Sequence, residues 1–188
     1  MNQKAFVQVV ITFLCLFFVF ASDTAHAAQP LAPGMILPQF TLPAPDPEAQ
    51  KYLGLSSQKP FALPEVPARA VLIETFYVLC MECQKAAPNI NKLYSLIQSD
   101  SELARNLKMF GLGIRGDEKR LRAFRASYHT KFPLLPDPEN EIYEKLGEPK
   151  IPFLMLANKS GKLLFTHSGA IEDVDKVFSE IKKLVMEQ

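Results

Sequence analysis

Two cysteines separated by two residues carry the strongest chemical signal in this sequence. Cys80 and Cys83 form a Cys-x-x-Cys motif just after an apolar run from Ala70 to Phe76. We expect that run to be a buried strand and a helix to begin near Cys80. The unpaired N–H groups and partial positive charge of a helix N-terminus stabilise a thiolate, which is the nucleophile of thiol–disulfide exchange. Cys83 follows one helical turn later, within reach of a disulfide with Cys80.

The first 27 residues have the pattern of an export signal. Lys4 precedes a nearly continuous apolar run from Ala5 to Phe20, and the segment 25–27 (Ala-His-Ala) has the small-x-small pattern that signal peptidase cleaves. We therefore predict a signal peptide over 1–27 and a single globular domain over 28–188. An uncleaved membrane anchor is the alternative, because the apolar run approaches the length that spans a bilayer. The expected location is the periplasm or the outer face of the cytoplasmic membrane.

Removal of that segment would leave a single pair of cysteines. Cys15 would be lost, and Cys80 and Cys83 would remain. Structural disulfides in exported proteins usually involve several cysteines at wider spacing, so one close pair indicates redox chemistry. A zinc site would need two more ligands, and neither His129 nor His167 has ligand spacing to the pair, so we predict no metal and no other cofactor. The net charge of +1, with no basic surplus, argues against a nucleic-acid partner.

Alternating strand and helix patterns predict an α/β domain with a mainly parallel sheet and a final antiparallel hairpin followed by a helix. Prolines are concentrated in two stretches, which should consist of loops and short edge strands. The predicted strands cover 70–76, 108–114, 132–135, 152–157 and 162–167, with two short edge strands at 39–42 and 61–63. The predicted helices cover about 80–97, 117–128, 140–146 and 172–186.

The residues on either side of the cysteine pair resemble the thioredoxin superfamily. Glu74 is an acid in an otherwise apolar strand, six residues before Cys80, and Pro88 is a proline five residues after Cys83. Both match positions typical of that superfamily. The resemblance implies that Glu74 is a buried carboxyl with a raised pKa that accepts the proton of Cys83 when Cys83 attacks Cys80.

The dipeptide Ile151-Pro152 resembles the cis-proline that precedes the penultimate strand of thioredoxin-like domains. The apolar run FLML, a turn and another strand follow it, as in those domains. The resemblance implies a cis peptide bond packed against the cysteine pair, with the Ile151 backbone available to pair with an extended substrate. We therefore predict Cys80, Cys83 and Glu74 as catalytic residues and Ile151 and Pro152 as substrate-binding residues.

Within the superfamily, the sequence is most similar to the TlpA/ResA-type group of exported thiol–disulfide oxidoreductases. Residues 113–156 resemble that group's inserted helix, strand and short helix, and residues 33–42 resemble its N-terminal strand. The implied fold is thioredoxin-like: a central mixed sheet flanked by helices, with an N-terminal strand extension and an inserted helix–strand–helix segment. Two positions depart from the pattern, since Leu79 replaces the usual aromatic residue and Ala86 replaces a glutamate, so that group's acidic pocket is not implied here.

The resemblance implies a monomeric enzyme that reduces exported proteins, for example in cytochrome c maturation, and receives electrons from a membrane thiol–disulfide donor. The carboxylate of Glu82, between the two cysteines, should oppose a thiolate on Cys80 and favour a low-potential reductant. A peroxiredoxin-type peroxidase is one alternative, although Ile73 and Tyr77 stand where that family has proline and threonine. A copper-chaperone-like metal-binding protein is another, although its cysteines are one residue further apart.

Overall fold

The described part of the chain, residues 30 to 188 of a computed structural model, folds around a five-stranded sheet. The predicted signal segment, 1–27, lies outside the described residues. The strands are β1 (Ala70–Phe76), β2 (Leu107–Ile114), β3 (Leu134–Asp137), β4 (Phe153–Asn158) and β5 (Leu163–Ser168). Their order in the sheet is β3-β2-β1-β4-β5. The pairs β1–β2 and β2–β3 are parallel, and the pairs β1–β4 and β4–β5 are antiparallel, so the predicted mixed sheet is confirmed.

β1 is the central strand because both of its edges are paired and all of its residues are buried. Side chains alternate between the two faces of a strand. Val71 and Ile73 face one hydrophobic cluster, whereas Leu72 and Phe76 belong to clusters on the opposite side. Glu74 lies two residues from both Leu72 and Phe76 along the strand, so its carboxyl is directed to the same face of the sheet as their side chains.

Helices cover that second face, and the N-terminal segment covers the first. The helices are α1 (Pro47–Leu53), α2 (Met81–Ser99), α3 (Ser101–Asn106), α4 (Glu118–Tyr128), α5 (Glu141–Lys145) and α6 (Val174–Met186). The helices α2, α3, α4 and α6 pack on the face that carries Leu72 and Phe76. The segment before β1 and the short helix α5 pack on the face that carries Ile73. Within residues 30–188, no helix is both long enough and apolar enough to cross a membrane.

The N-terminal segment forms less strand than the sequence predicts. The expected edge strands at 39–42 and 61–63 are reduced to a single bridge between Leu42 and Phe61. A second bridge, between Ile36 and Lys162, attaches the segment to the start of β5. Prolines flank each of these bridges and cannot donate to a ladder, so pairing cannot extend. The N-terminal extension of the predicted fold is therefore a chain of isolated bridges.

Two short helices were not predicted. The carboxylate of Asp46 caps α1 by accepting the N–H of Ala49, and Pro47 occupies the first helical position, where its missing N–H costs nothing. Asp100 caps α3 in the same way, by accepting the N–H of Leu103. Both signals are present in the sequence, but the helices are too short to show an apolar period.

The predicted insertion of a helix, a strand and a short helix is confirmed as α4, β3 and α5. α4 begins after Asp117, the predicted cap, whose carboxylate accepts the N–H of Arg120. β3 lies two residues later than predicted, because Leu134 pairs with Gly111 of β2 and the pairing continues to Asp137. α5 is shorter than predicted because Asn140 has a left-handed backbone conformation and stays outside the helix.

Candidate active site

Cys80 occupies the position at which α2 begins. It is the N-cap residue, and its Sγ accepts a hydrogen bond from the backbone N–H of Cys83 at 3.3 Å. Its side chain is partly exposed, whereas Cys83 is fully buried. Both cysteines are free thiols in this structure. The helix therefore presents one accessible sulfur at its N-terminus and one protected sulfur a turn later.

The surroundings of Cys83 oppose its ionisation. The side chain packs in a cluster with Phe76, Val78, Ala87 and Phe124. This burial raises the pKa of the Cys83 thiol well above its usual value, and the hydrogen bond with Cys80 and the negative charge of Glu74 raise it further. Cys83 is therefore held as a neutral thiol and needs a base before it can act as a nucleophile.

Glu74 lies beneath the first turn of α2, on the side of β1 that faces the cysteines. It is 5% exposed, and β1 holds it in register between Gly111 of β2 and Leu154 of β4. Burial raises the pKa of this carboxyl to about 8, and within the described residues no hydrogen bond or neighbouring cation offsets that effect. A carboxyl with this pKa can hold a proton or release it near neutral pH.

The loop before β4 completes the arrangement. The Ile151–Pro152 peptide bond is cis, as the sequence predicts. Pro152 is buried, and the half-buried Ile151 packs against the cluster that contains Cys83. The structure thus brings the loop and the two cysteines together, while their catalytic and substrate-binding roles remain predictions.

Neighbouring carbonyl groups in this loop are already hydrogen-bonded. The hydroxyl of Tyr143 donates to the Pro149 carbonyl at 2.9 Å, and that of Ser168 donates to the Lys150 carbonyl at 3.1 Å. The Gly169 N–H donates to the Pro152 carbonyl at 2.8 Å. Among the described residues, the backbone of Ile151 forms no hydrogen bond. Sequence reasoning missed Tyr143 and Ser168, because only the folded loop brings these hydroxyls to it.

Two large apolar side chains are exposed on either side of Cys80. Leu79 is 70% exposed and Met81 is 66% exposed, values unusual for residues of this size and polarity. Glu82, the other residue between the cysteines, forms an exposed salt bridge with Lys85 at 2.8 Å. Because this pairing offsets the charge of Glu82, its predicted opposition to a Cys80 thiolate loses much of its physical basis.

The described residues offer no metal site. Within residues 30–188, no group of three or more histidine, cysteine, aspartate or glutamate side chains is placed to hold an ion.

Comparisons with known proteins show which proteins the chain is similar to. No family model matches it. It is 21% identical over 122 residues to the thiol–disulfide oxidoreductase ResA of Halalkalibacterium halodurans, and the match covers 64% of this chain and 66% of that relative, just under two thirds. ResA of Geobacillus thermodenitrificans is 20% identical over 122 residues. Over the matched residues, the chain is thus similar to proteins named as thiol–disulfide oxidoreductases of the ResA type, the group that the sequence resembles.

Solved structures confirm the predicted thioredoxin-like fold. StoA of Bacillus subtilis superposes with a TM-score of 0.56 at 15% identity, over 79% of this chain and 99% of StoA. A secreted disulfide oxidoreductase of Mycobacterium tuberculosis superposes with a TM-score of 0.57 at 16% identity, over 77% of this chain and 96% of that protein. At these identities the likeness concerns the fold.

Ionisation of Glu74 should lower the stability of the folded protein. Burial raises the pKa of Glu74 from 4.5 to about 8, so between these pH values the folded state binds more protons than the unfolded chain. The free energy of unfolding therefore falls as pH rises through this window, by at most about 1.4 kcal/mol per pH unit, and levels off above the folded-state pKa. Glu74→Gln cannot ionise and should lack this decline.

Urea unfolding of the reduced protein from pH 5 to pH 8.5 would measure the effect. Glu82→Gln is the matched control, since it removes an exposed carboxylate and should leave the pH dependence as in the wild type. Parallel curves for the wild type and Glu74→Gln would show that burial does not perturb this carboxyl.

Proposed function

We propose that this protein is an exported thiol–disulfide oxidoreductase that reduces disulfides in other exported proteins by cycling a Cys80–Cys83 disulfide. The observation that carries the proposal is the unequal placement of the two sulfurs. Cys80 is accessible at a helix N-terminus, whereas Cys83 is buried beside Glu74. An attacking and a resolving thiol need these two different environments.

The reaction proceeds in two exchanges that balance in electrons and protons. The Cys80 thiolate attacks one sulfur of the substrate disulfide, so a mixed disulfide forms and the first substrate sulfur leaves as a thiolate and takes up a proton. The Cys83 thiol then transfers its proton to the Glu74 carboxylate, and its sulfur attacks Cys80. The second substrate sulfur leaves as a thiolate and takes up a proton from solvent. Two electrons have then passed to the substrate, and the Cys80–Cys83 disulfide remains.

Glu74 is the base in the second exchange. The environment of Cys83 holds it as a neutral thiol, and Glu74 contributes to that electrostatic environment. With a pKa of about 8, a growing fraction of Glu74 is ionised as the pH rises from 6 to 8, so proton acceptance from Cys83 becomes more effective over that range. After the exchange, Glu74 returns the proton to solvent.

A polypeptide substrate fits the surface around Cys80 better than a small disulfide does. The exposed side chains of Leu79 and Met81 offer apolar contacts on both sides of the reactive sulfur. The unpaired backbone of Ile151 offers a donor and an acceptor to an extended chain, which is how a strand adds to an edge. Together these features support recognition of a protein segment around its cysteine.

We extend the proposal to location, direction and electron supply. The apolar N-terminal segment supports export to the periplasm or to the outer face of the cytoplasmic membrane. Cys83, held as a neutral thiol, adds no thiolate stabilisation of its own to the reduced pair, and this supports a reducing role. A reductant in that compartment needs a membrane thiol–disulfide donor. We propose cytochrome c maturation as the process in which the protein acts, because the haem-attachment cysteines must be reduced there.

The two cysteines should behave differently when each is replaced by serine. Cys83→Ser retains the attacking thiol but lacks the resolving one, so we expect it to accumulate a mixed disulfide with a protein substrate such as oxidised insulin. Cys80→Ser should trap at least tenfold less. Non-reducing electrophoresis followed by mass spectrometry would measure the adduct, and equal trapping by both variants would contradict the assigned order of attack.

The second exchange should depend on pH through Glu74. In single-turnover experiments, we expect the rate of mixed-disulfide resolution in the wild type to rise well over tenfold between pH 6 and pH 8, as the carboxylate forms. Glu74→Gln should resolve about 10²-fold more slowly at pH 8 and should show a flatter profile. Glu82→Gln serves as the control. A Glu74→Gln profile that matches the wild type would remove Glu74 from the mechanism.

A further inference from the structure

Three hydrogen bonds from different parts of the fold hold the loop before the cis-proline. The Tyr143 hydroxyl binds the Pro149 carbonyl, the Ser168 hydroxyl binds the Lys150 carbonyl, and the Gly169 N–H binds the Pro152 carbonyl. Ser168 and Gly169 lie at the end of β5, next in the sheet to the strand that the loop enters. Tyr143 comes from α5, in the inserted segment.

Tyr143 is itself fixed to the sheet. The buried carboxylate of Asp137, at the end of β3, accepts the backbone N–H of Tyr143 at 2.9 Å and that of Ile142 at 3.3 Å. The Asp137 backbone carbonyl also accepts the N–H of Arg115, just beyond β2. A continuous set of hydrogen bonds therefore leads from the sheet, through Asp137 and Tyr143, to the loop.

These bonds fix which backbone groups of the loop are left for a ligand. The carbonyls of Pro149, Lys150 and Pro152 are occupied, so among described residues 149–152 Ile151 alone has both an N–H and a carbonyl group without a hydrogen bond. An extended chain can therefore pair in one register, at Ile151. Loss of the Tyr143 bond would free the Pro149 carbonyl, and an unsatisfied half-buried carbonyl turns toward another donor.

We infer that Tyr143 is a positioning residue that sets the register in which an extended, disulfide-bearing polypeptide pairs with Ile151 beside Cys80. The inference rests on the proposed function, and it assigns a role in substrate binding to one residue of the inserted segment. The Tyr143 hydroxyl bonds to the loop and forms no hydrogen bond with Cys80 or Cys83, so we expect it to affect substrate binding rather than the exchange chemistry. Because burial raises the pKa of the Tyr143 hydroxyl, that group keeps the proton it donates throughout the neutral range.

The test is the substitution Tyr143→Phe, which removes the hydroxyl and keeps the ring. We expect the KM for a synthetic disulfide-linked peptide to rise about tenfold, with kcat within twofold of the wild type. The matched control is Tyr128→Phe, because Tyr128 is another half-buried tyrosine and its hydroxyl donates no hydrogen bond among the described residues. Its KM and kcat should both stay within twofold of the wild type.

The outcomes separate the inference from the function on which it rests. If the wild type reduces neither the peptide nor 2-hydroxyethyl disulfide, the proposed function fails. If the wild type is active and Tyr143→Phe has an unchanged KM, or a reduced kcat at constant KM, the positioning role is wrong. Should Tyr143→Phe fail to fold, Ser168→Ala removes the neighbouring bond from an exposed residue, and the same rise in KM is expected from it. An unchanged KM in Ser168→Ala would then overturn the inference.

Discussion

Burial of two ionisable groups between β1 and the first turn of α2 is the constraint on which the site depends. β1 is buried on both faces, so Glu74 and the sulfur of Cys83 have almost no water to solvate a charge. The pKa values of both groups rise as a result. Cys83 is therefore held as a neutral thiol beside a carboxyl that can titrate, while Cys80, at the solvent-facing end of the same helix turn, remains accessible. The different roles proposed for the two cysteines rest on that difference in solvation.

Under the proposed function, the remainder of the fold places a substrate against this pair. The loop that contains Pro152 enters β4, which lies next to β1, so the loop and the cysteines share one end of the sheet. The inserted segment reaches the same loop through Tyr143, and the end of β5 reaches it through Ser168 and Gly169. Elements far apart in sequence thus converge on one short backbone stretch, and the exposed Leu79 and Met81 extend the contact surface around Cys80.

Much of this arrangement could be predicted from local sequence. The uninterrupted apolar run of β1, the capping residue Asp117 and the apolar period of α2 each identify an element, and the spacing of Glu74 from the cysteines identifies the buried acid. Features that depend on long-range contacts could not be predicted in the same way. Proline-flanked segments near Leu42 reduce to single bridges, and the bond from Tyr143 to the loop exists only once α5 has packed. The pairing of Glu82 with Lys85 also changes an electrostatic argument that the sequence alone had supported.

The central claim is that Cys80 and Cys83 form a reducing couple. The reduction potential of that couple tests it most directly, by equilibration of the purified protein with dithiothreitol buffers and thiol alkylation read by mass spectrometry. The unstabilised Cys83 thiolate predicts a single two-electron transition at or below about −250 mV, close to the value of about −270 mV for thioredoxin. A measured potential near about −120 mV, the value for the strong oxidant DsbA, would contradict the account. So would the absence of a Cys80–Cys83 disulfide at every buffer potential tested.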